Sequence, residues 1–187
     1  MLMKLLLAIS FLLYSLSADG QSRLRDFLEA EDRAEMKSLD LSRCKLDSLP
    51  QALSECHNLV ELDLSKNDLS ELPSYFQGFT KLEILHLSKN QFKSIPRILK
   101  ACPNLKELHI DQNPVDSLNS YINGFQQLEY LDLWDCELKY ISLELCKNQS
   151  LKKLDLRRNF VGTRDLEWLY KCLKEVEIES TWGCDCD

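Results

Sequence analysis

Residues 59–69 read Leu-Val-Glu-Leu-Asp-Leu-Ser-Lys-Asn-Asp-Leu, and residues 82–92 read Leu-Glu-Ile-Leu-His-Leu-Ser-Lys-Asn-Gln-Phe. Both follow the pattern Leu-x-x-Leu-x-Leu-x-x-Asn-x-Leu, with Phe as the last residue of the second, and they begin 23 residues apart. Six copies of this pattern, with Asn or Cys at the ninth position, begin at Met36, Leu59, Leu82, Leu105, Leu128 and Leu151. A partial seventh copy, Leu173-Val176-Ile178, begins 22 residues after the sixth. Copies held in one register indicate a chain of stacked structural repeats.

Each copy contains the residues of one short strand and one turn. The two central leucines alternate with polar residues, so both point to the same side of a strand. A single strand cannot bury that side, and neighbouring repeats must therefore stack to form a continuous core. The Asn or Cys that follows can hydrogen-bond the backbone where the chain turns inward. The second half contains Leu-Pro or Ile-Pro in the first three copies, and in the sixth copy Thr163 can cap a predicted convex helix.

These residues make the chain resemble the leucine-rich-repeat family, from about residue 36 to residue 180. The resemblance implies an α/β solenoid that forms a right-handed arc. Its concave side would carry a parallel β-sheet of about seven short strands, and its convex side would carry turns, 3-10 segments and short helices. It also implies six repeats of 22–23 residues over residues 36–173, and then a final strand and a partial cysteine-containing cap over residues 174–187.

The segment before the repeats has two predicted parts. Residues 1–20 combine Lys4, an apolar run and then small residues, which is the order typical of a secretory signal peptide. Small residues in the required positions allow cleavage after Ser17 or after Gly20. Residues 21–35 form a predicted capping helix whose apolar stripe would cover the first repeat: Leu24, Phe27 and Leu28. The alternative is a partner-binding or membrane-surface helix, and the mixed charge that follows disfavours the membrane.

The eight cysteines divide by their position in the repeat. Cys44 and Cys136 occupy the Asn/Cys position, four repeats apart and too distant to bridge each other. Cys56 and Cys102 share a slot that Phe fills in alternate repeats, which indicates free thiols in the core. Residues 182–186 read Trp-Gly-Cys-Asp-Cys and resemble the opening of the cysteine-rich C-terminal cap of extracellular leucine-rich-repeat proteins.

Three outcomes are open for Cys184 and Cys186. Either can pair with Cys172 or Cys146, link to another chain, or stay free. A secretory context favours oxidation, and we favour one bond within the chain to Cys172. The tripeptide Asn148-Gln149-Ser150 makes Asn148 a candidate for N-glycosylation on a predicted convex loop.

The solvent-facing strand positions form columns across the repeats. The central column is mainly acidic and runs Asp40, Asp63, His86, His109, Asp132, Asp155 and Glu177. Exposed aromatic residues often anchor protein interfaces, and an acidic surround favours a basic partner. We therefore predict a protein-binding face made of His86, His109, Tyr130, Trp134, Asp63, Asp132, Asp155 and Arg157. Two lesser alternatives for His86 and His109 are a zinc site and a pH switch, and otherwise no metal is expected.

The composition and motifs narrow the functional class. A net charge of −7 argues against nucleic-acid binding, because phosphate recognition needs a basic face. The sequence contains no nucleophile, phosphate-loop or dinucleotide motif, so we expect neither an enzyme nor a bound cofactor.

We therefore expect a secreted protein-binding module that has no stable membrane span once the signal peptide is removed. One alternative is a cytoplasmic signalling adaptor, favoured by the 23-residue repeats with Leu-Pro turns. Another is an inhibitor or a receptor fragment.

Overall fold

The computed structural model describes residues 18–181, which form a solenoid of stacked turns. Its seven-stranded sheet is parallel throughout and has the order β1-β2-β3-β4-β6-β8-β9. The strands of this sheet are β1 Ser38–Asp40, β2 Glu61–Asp63, β3 Ile84–His86, β4 Glu107–His109, β6 Tyr130–Asp132, β8 Lys153–Asp155 and β9 Glu177–Glu179. The predicted parallel sheet is confirmed.

The opposite side of the solenoid contains short helical turns. Pro50, Pro73 and Pro96 each directly precede a 3-10 helix, where a fixed φ suits the start of a helical turn. The 3-10 helices are Arg33–Glu35, Gln51–Glu55, Ser74–Gly78, Arg97–Ala101, Ser120–Gly124 and Leu143–Lys147. Two additional short strands, β5 Ser117–Leu118 and β7 Tyr140–Ile141, pair with each other. The predicted α-helix of the sixth repeat spans Thr163–Cys172, and its N-cap residue is Gly162 rather than the predicted Thr163.

The core is a set of leucine rows that run along the solenoid. In-register pairing places the first strand leucine of each repeat beside its counterparts. From the second repeat to the sixth these leucines are fully buried: Leu62, Leu85, Leu108, Leu131 and Leu154. Burial of one such side chain contributes about 2 kcal/mol. Cys56 and Cys102 are buried free thiols, as their shared register slot predicted.

In four of the repeats an asparagine follows the strand and binds both its own repeat and the preceding one. The Asn90 amide donates to the carbonyl oxygens of Leu64 and Leu87 at 3.0 and 2.9 Å and accepts the Leu69 N–H at 3.0 Å. Asn67, Asn113 and Asn159 make the equivalent bonds. One residue before this position the backbone has positive φ in every repeat, as at Lys89 with φ 57°. The asparagine satisfies the polar backbone groups that this sharp turn leaves inside the solenoid.

The last strand pairs in a different register from the predicted one. The sequence pattern aligned Val176 with Leu154 at a spacing of 22 residues, but Ile178 is the residue that pairs with Leu154. The convex helix Thr163–Cys172 uses more chain than a 3-10 turn, so the strand begins two residues later. Glu179 therefore takes the central column position that was predicted for Glu177.

An N-terminal helix, α1, covers the first repeat and spans Ala18–Glu29 rather than 21–35. Leu24 and Phe27 are buried in the core, as the apolar stripe predicted. Gly20 packs so closely against the backbone of the first repeat that a Cβ at this residue would collide with the Arg43 carbonyl oxygen. The predicted signal peptide lies outside the described residues, except for residues 18–20. Within residues 18–181 no helix is both long and apolar enough to cross a membrane.

The second α-helix, α2, spans Thr163–Cys172 and carries a disulfide. Cys172 is bonded to Cys146, with a Cα–Cα distance of 5.6 Å. Stacking places the last residue of the helix directly beside the 3-10 turn of the preceding repeat, a proximity that spacing along the sequence did not reveal. The favoured bond between Cys172 and Cys184 or Cys186 is therefore wrong, since a cysteine sulfur forms one such bond. Cys184, Cys186 and Trp182 lie outside the described residues.

Breaking this disulfide is expected to destabilise the C-terminal repeats. It joins residues 26 apart, and a loop of that length predicts a loss of about 3.5 kcal/mol on a chain-entropy estimate. Urea unfolding of Cys146→Ser and Cys172→Ser should each show this loss, and the double variant should show the same loss rather than the sum. Additive losses would contradict the pairing.

Candidate partner-binding face

The aspartates in the central column of the concave sheet stabilise the turn that follows each of their strands. In four repeats the carboxylate accepts the N–H of the residue two positions later, at 2.7 to 3.0 Å, and so closes the turn after the strand. These four residues are Asp40, Asp63, Asp132 and Asp155. Much of the acidity in this column therefore follows from the repeat architecture itself.

His86 and His109 interrupt this aspartate column. They lie in register on the neighbouring strands β3 and β4, where the other repeats place the turn-closing carboxylate. Two adjacent repeats thus depart from a local rule that the others keep. Departures of this kind are expected at functional sites, because a site is selected for something other than stability.

The two imidazoles form part of a continuous aromatic strip. The rings of His86 and His109 stack with centroids 4.5 Å apart and an interplanar angle of 21°. The Tyr130 ring meets His109 edge-on, with centroids 5.1 Å apart. The strip crosses three strands of the sheet and places aromatic rings across the middle of the concave face. In the part of the chain from 18 to 181, no group of three or more His, Cys, Asp or Glu residues could hold a metal ion, and the zinc alternative gains no support.

Carboxylates surround the stacked histidines. The Nδ1 and Nε2 atoms of His109 lie 3.6 Å from Asp132 and 3.5 Å from Glu107, and Nε2 of His86 lies 3.8 Å from Glu61. Burial of the His109 ring opposes protonation, but the bonds to Asp132 and Glu107 outweigh it and raise the pKa of His109. Burial also opposes ionisation of Asp132, yet bonds from His109 and the Trp134 N–H lower its pKa.

Negative charge is left unbalanced in the middle of the face. At its two ends, lysine or arginine neutralises the acids: Arg23 pairs with Asp40, Lys153 with Glu177 and Glu179, and Arg157 with Asp155 and Glu179. Within residues 18–181, five central carboxylates have no such lysine or arginine partner, and we call them the acidic centre: Glu61, Asp63, Glu107, Asp111 and Asp132. The middle of the concave face therefore carries a surplus of negative charge.

Two of the predicted contact residues, Asp155 and Trp134, are partly or fully covered by neighbouring arginines. Asp155 is 2% exposed because Arg157 lies over it and donates to both carboxylate oxygens, so the prediction that Asp155 contacts a partner is wrong. Arg157 itself remains accessible. The half-buried Trp134 has the guanidinium of Arg158 5.3 Å from its ring, so one face of the indole is covered.

Tyr130 and three acidic residues complete the face. The Tyr130 hydroxyl donates to Asp132 at 3.3 Å, and burial together with the nearby Asp132 charge raises the pKa of Tyr130 to about 12. Glu61, Glu107 and Asp111 were missed as site residues at the sequence level. These residues lie in the two columns of strand positions beside the central column, where their acidity could be seen in the sequence. Only the ion pairs in the structure distinguish them from acids that a lysine or arginine neutralises.

The predicted glycosylation site is part of the core. Asn148 is 8% exposed, and its Nδ2 donates to the Phe125 carbonyl at 3.0 Å. Its Oδ1 accepts from Ser150 Oγ and the Leu151 N–H. The burial and bonding of this amide disfavour a glycan on Nδ2, so the glycosylation prediction gains no support from the folded structure.

Treatment of the purified protein with an N-glycosidase is therefore expected to leave its mass unchanged. A variant with Asn148→Ala should lose about 2 kcal/mol of stability, because it leaves buried backbone groups unpaired. A glycan-sized loss of mass after the enzyme treatment would contradict this interpretation.

The repeat pattern matches known family models over more than half of the chain. The model described as Leucine Rich Repeat matches residues 35–56 and 58–79, and Leucine Rich repeats (2 copies) matches residues 80–123. A further Leucine Rich repeat model matches residues 147–167. This chain belongs to the leucine-rich-repeat family. Members of the family are typically non-enzymatic scaffolds that bind other proteins.

This leucine-rich-repeat protein is similar to a mammalian receptor and to a bacterial protein of known structure. It is 39% identical over 72 residues to a leucine-rich repeat-containing G-protein coupled receptor of Rattus norvegicus, a match covering 38% of this chain and 8% of the receptor. A leucine-rich-repeat protein of Leptospira interrogans has a similar solved structure, with a TM-score of 0.67 and 24% identity over 85% of this chain and 46% of that one. The leucine-rich-repeat protein thus spans less than half of either relative, and the second likeness establishes the fold alone.

Proposed function

We propose that the protein is a secreted, non-enzymatic binding module whose concave face recognises a basic segment of a partner protein. The observation that carries the proposal is the acidic centre, whose carboxylates lack lysine or arginine partners. Three of them, Glu61, Glu107 and Asp132, lie within 4 Å of a ring nitrogen of the stacked histidines. Charged groups of one sign on a concave surface attract and orient a partner of the opposite sign. Tyr130, beside the histidines in the aromatic strip, supplies an aromatic side chain of the kind that anchors protein interfaces.

Two observations support an extracellular place of action. The Cys146–Cys172 disulfide is of the kind that forms and persists in oxidising compartments. The mammalian relative is, by its name, a receptor. Expression of the full chain with a C-terminal tag in secreting cells should deliver a shortened protein to the medium. Retention of an uncleaved chain in the cytoplasm would contradict secretion and favour the adaptor alternative.

The location of the binding surface can be tested with two matched tyrosine variants. Tyr130 lies in the concave strip, whereas Tyr140 lies in β7, outside the concave sheet, and is 72% exposed. A partner captured by the tagged wild-type protein should bind Tyr130→Ala at least about tenfold more weakly, the loss expected for a central aromatic anchor. It should bind Tyr140→Ala normally. The reverse result would contradict the concave face as the binding site.

A further inference from the structure

We propose that His86 and His109 make this recognition sensitive to pH, so that their protonation weakens binding of the basic partner. The inference rests on the proposed function, because it concerns the same face and the same class of partner. It adds a mechanism of release that the acidity of the face alone would not provide. An acidic face without these imidazoles would keep its charge down to the pH range where carboxylates titrate.

The geometry places the two imidazoles inside the acidic centre. The stacked rings lie 4.5 Å apart, and each has a carboxylate within 4 Å of a ring nitrogen. Imidazole is the side chain that ordinarily changes charge between about pH 5 and 8. Two protons on this pair would add two positive charges at the middle of a surface that bears five negative ones.

Charged and titratable groups face the pair from every neighbouring strand. Glu61 and Asp63 lie on β2, Glu107 and then Asp111 lie on and after β4, and Tyr130 and Asp132 lie on β6. The tyrosine stays neutral across this range, because its pKa is raised to about 12. The pKa of Asp111 is also raised, mainly by burial, so its protonation at lower pH would reduce negative charge in the same direction. A histidine variant is therefore needed to separate the imidazoles from Asp111.

The sign of the effect follows from linkage. Positive charges of a bound partner oppose protonation of the histidines, so binding releases protons. Because the free protein holds those protons more tightly, affinity falls as the pH drops through the midpoint of His109, whose pKa in the free protein is raised. If the partner lowers one imidazole pKa by about one unit, the affinity at low pH falls about tenfold.

The test uses a fluorescein-labelled oligolysine peptide, with an oligoglutamate peptide as the control for non-specific adsorption. Anisotropy titrations are made at low ionic strength, which preserves the electrostatic contribution, at about pH 7.5 and about pH 5.5. The wild-type protein is expected to bind oligolysine about tenfold more weakly at the lower pH. The double variant His86→Gln with His109→Gln should show nearly the same affinity at both values. Circular dichroism at each pH establishes that both proteins are folded.

The two possible failures are distinguishable. If oligolysine binds the wild-type protein equally at both pH values, or if the double variant keeps the full pH dependence, the histidine mechanism is overturned and the proposed function stands. If oligolysine binds at neither pH, the preference for a basic partner is itself overturned. An NMR titration adds an independent readout, because oligolysine should lower the midpoint of the His109 ring signal. An unmoved midpoint would also contradict the mechanism.

Discussion

Replacement of Leu108 by alanine is expected to lower the free energy of unfolding by about 3 to 4 kcal/mol. The side chain is fully buried in the middle strand of the sheet, between Leu85 and Leu131 on the adjacent repeats. The variant loses the transfer free energy of three carbon atoms and leaves a cavity that packed neighbours cannot fill completely. The loss should be large because each repeat depends on both neighbours for its core.

Urea unfolding followed by circular dichroism measures this loss. The matched control is Leu143→Ala on the convex side, where the leucine is 66% exposed and the expected change stays within about 0.5 kcal/mol. Equal and small effects of the two substitutions would contradict the stacked-strand core. A large effect of Leu143→Ala alone would indicate a core around the convex residue Leu143, and it would also contradict the stacked-strand core.

Replacement of Asn90 by alanine is expected to cost about 3 kcal/mol or more, although the substitution removes no apolar contact area of note. Its amide satisfies the buried carbonyl groups of Leu64 and Leu87 and the N–H of Leu69. Alanine leaves the Leu69 N–H without its partner, which costs about 1 to 3 kcal/mol for a buried group. The carbonyls of Leu64 and Leu87 keep their bonds from Asn67 and Asn113, and each of the two lost bonds adds about 1 kcal/mol. Some inflow of water would offset part of this cost.

The control for this variant is Asn104→Ala. Asn104, like Asn90, is hydrogen-bonded to the preceding repeat. The exposed Asn104 amide donates to the Thr80 carbonyl at 2.7 Å, where water can replace it. Its loss should therefore stay below about 1 kcal/mol. If Asn90→Ala proves as mild as Asn104→Ala, the asparagine row does not stabilise the inward turn.

The fold could be predicted from sequence because each repeat restates the same local chemistry. Alternating leucines require a shared core, and the spacing between copies fixes which strands are neighbours. Asn67, Asn90 and Asn113 make the backbone bonds that their position predicted. The prediction failed where the repeat changes length, since the α-helix Thr163–Cys172 shifted the last strand by two residues.

Side-chain partners were harder to predict than backbone positions. Asp155 and Asn148 both have polar side chains typical of a surface, yet both are buried because neighbouring residues supply their hydrogen-bond partners. The Cys146–Cys172 bond depends on how a convex helix lies against the preceding turn, which the repeat pattern does not determine. The histidine pair was identified correctly as adjacent, but its surplus of negative charge emerged only when the flanking ion pairs were known.

Site-specific photocrosslinking tests most directly whether the concave face binds the partner. A benzophenone amino acid is placed at Ile84, which lies in the strand that carries His86, and in a second protein at the exposed convex residue Gln77. After irradiation with the captured partner, we expect a covalent adduct at position 84 through a basic segment of the partner, and none at position 77. An adduct at position 77 alone, or one through an acidic segment, would contradict the account.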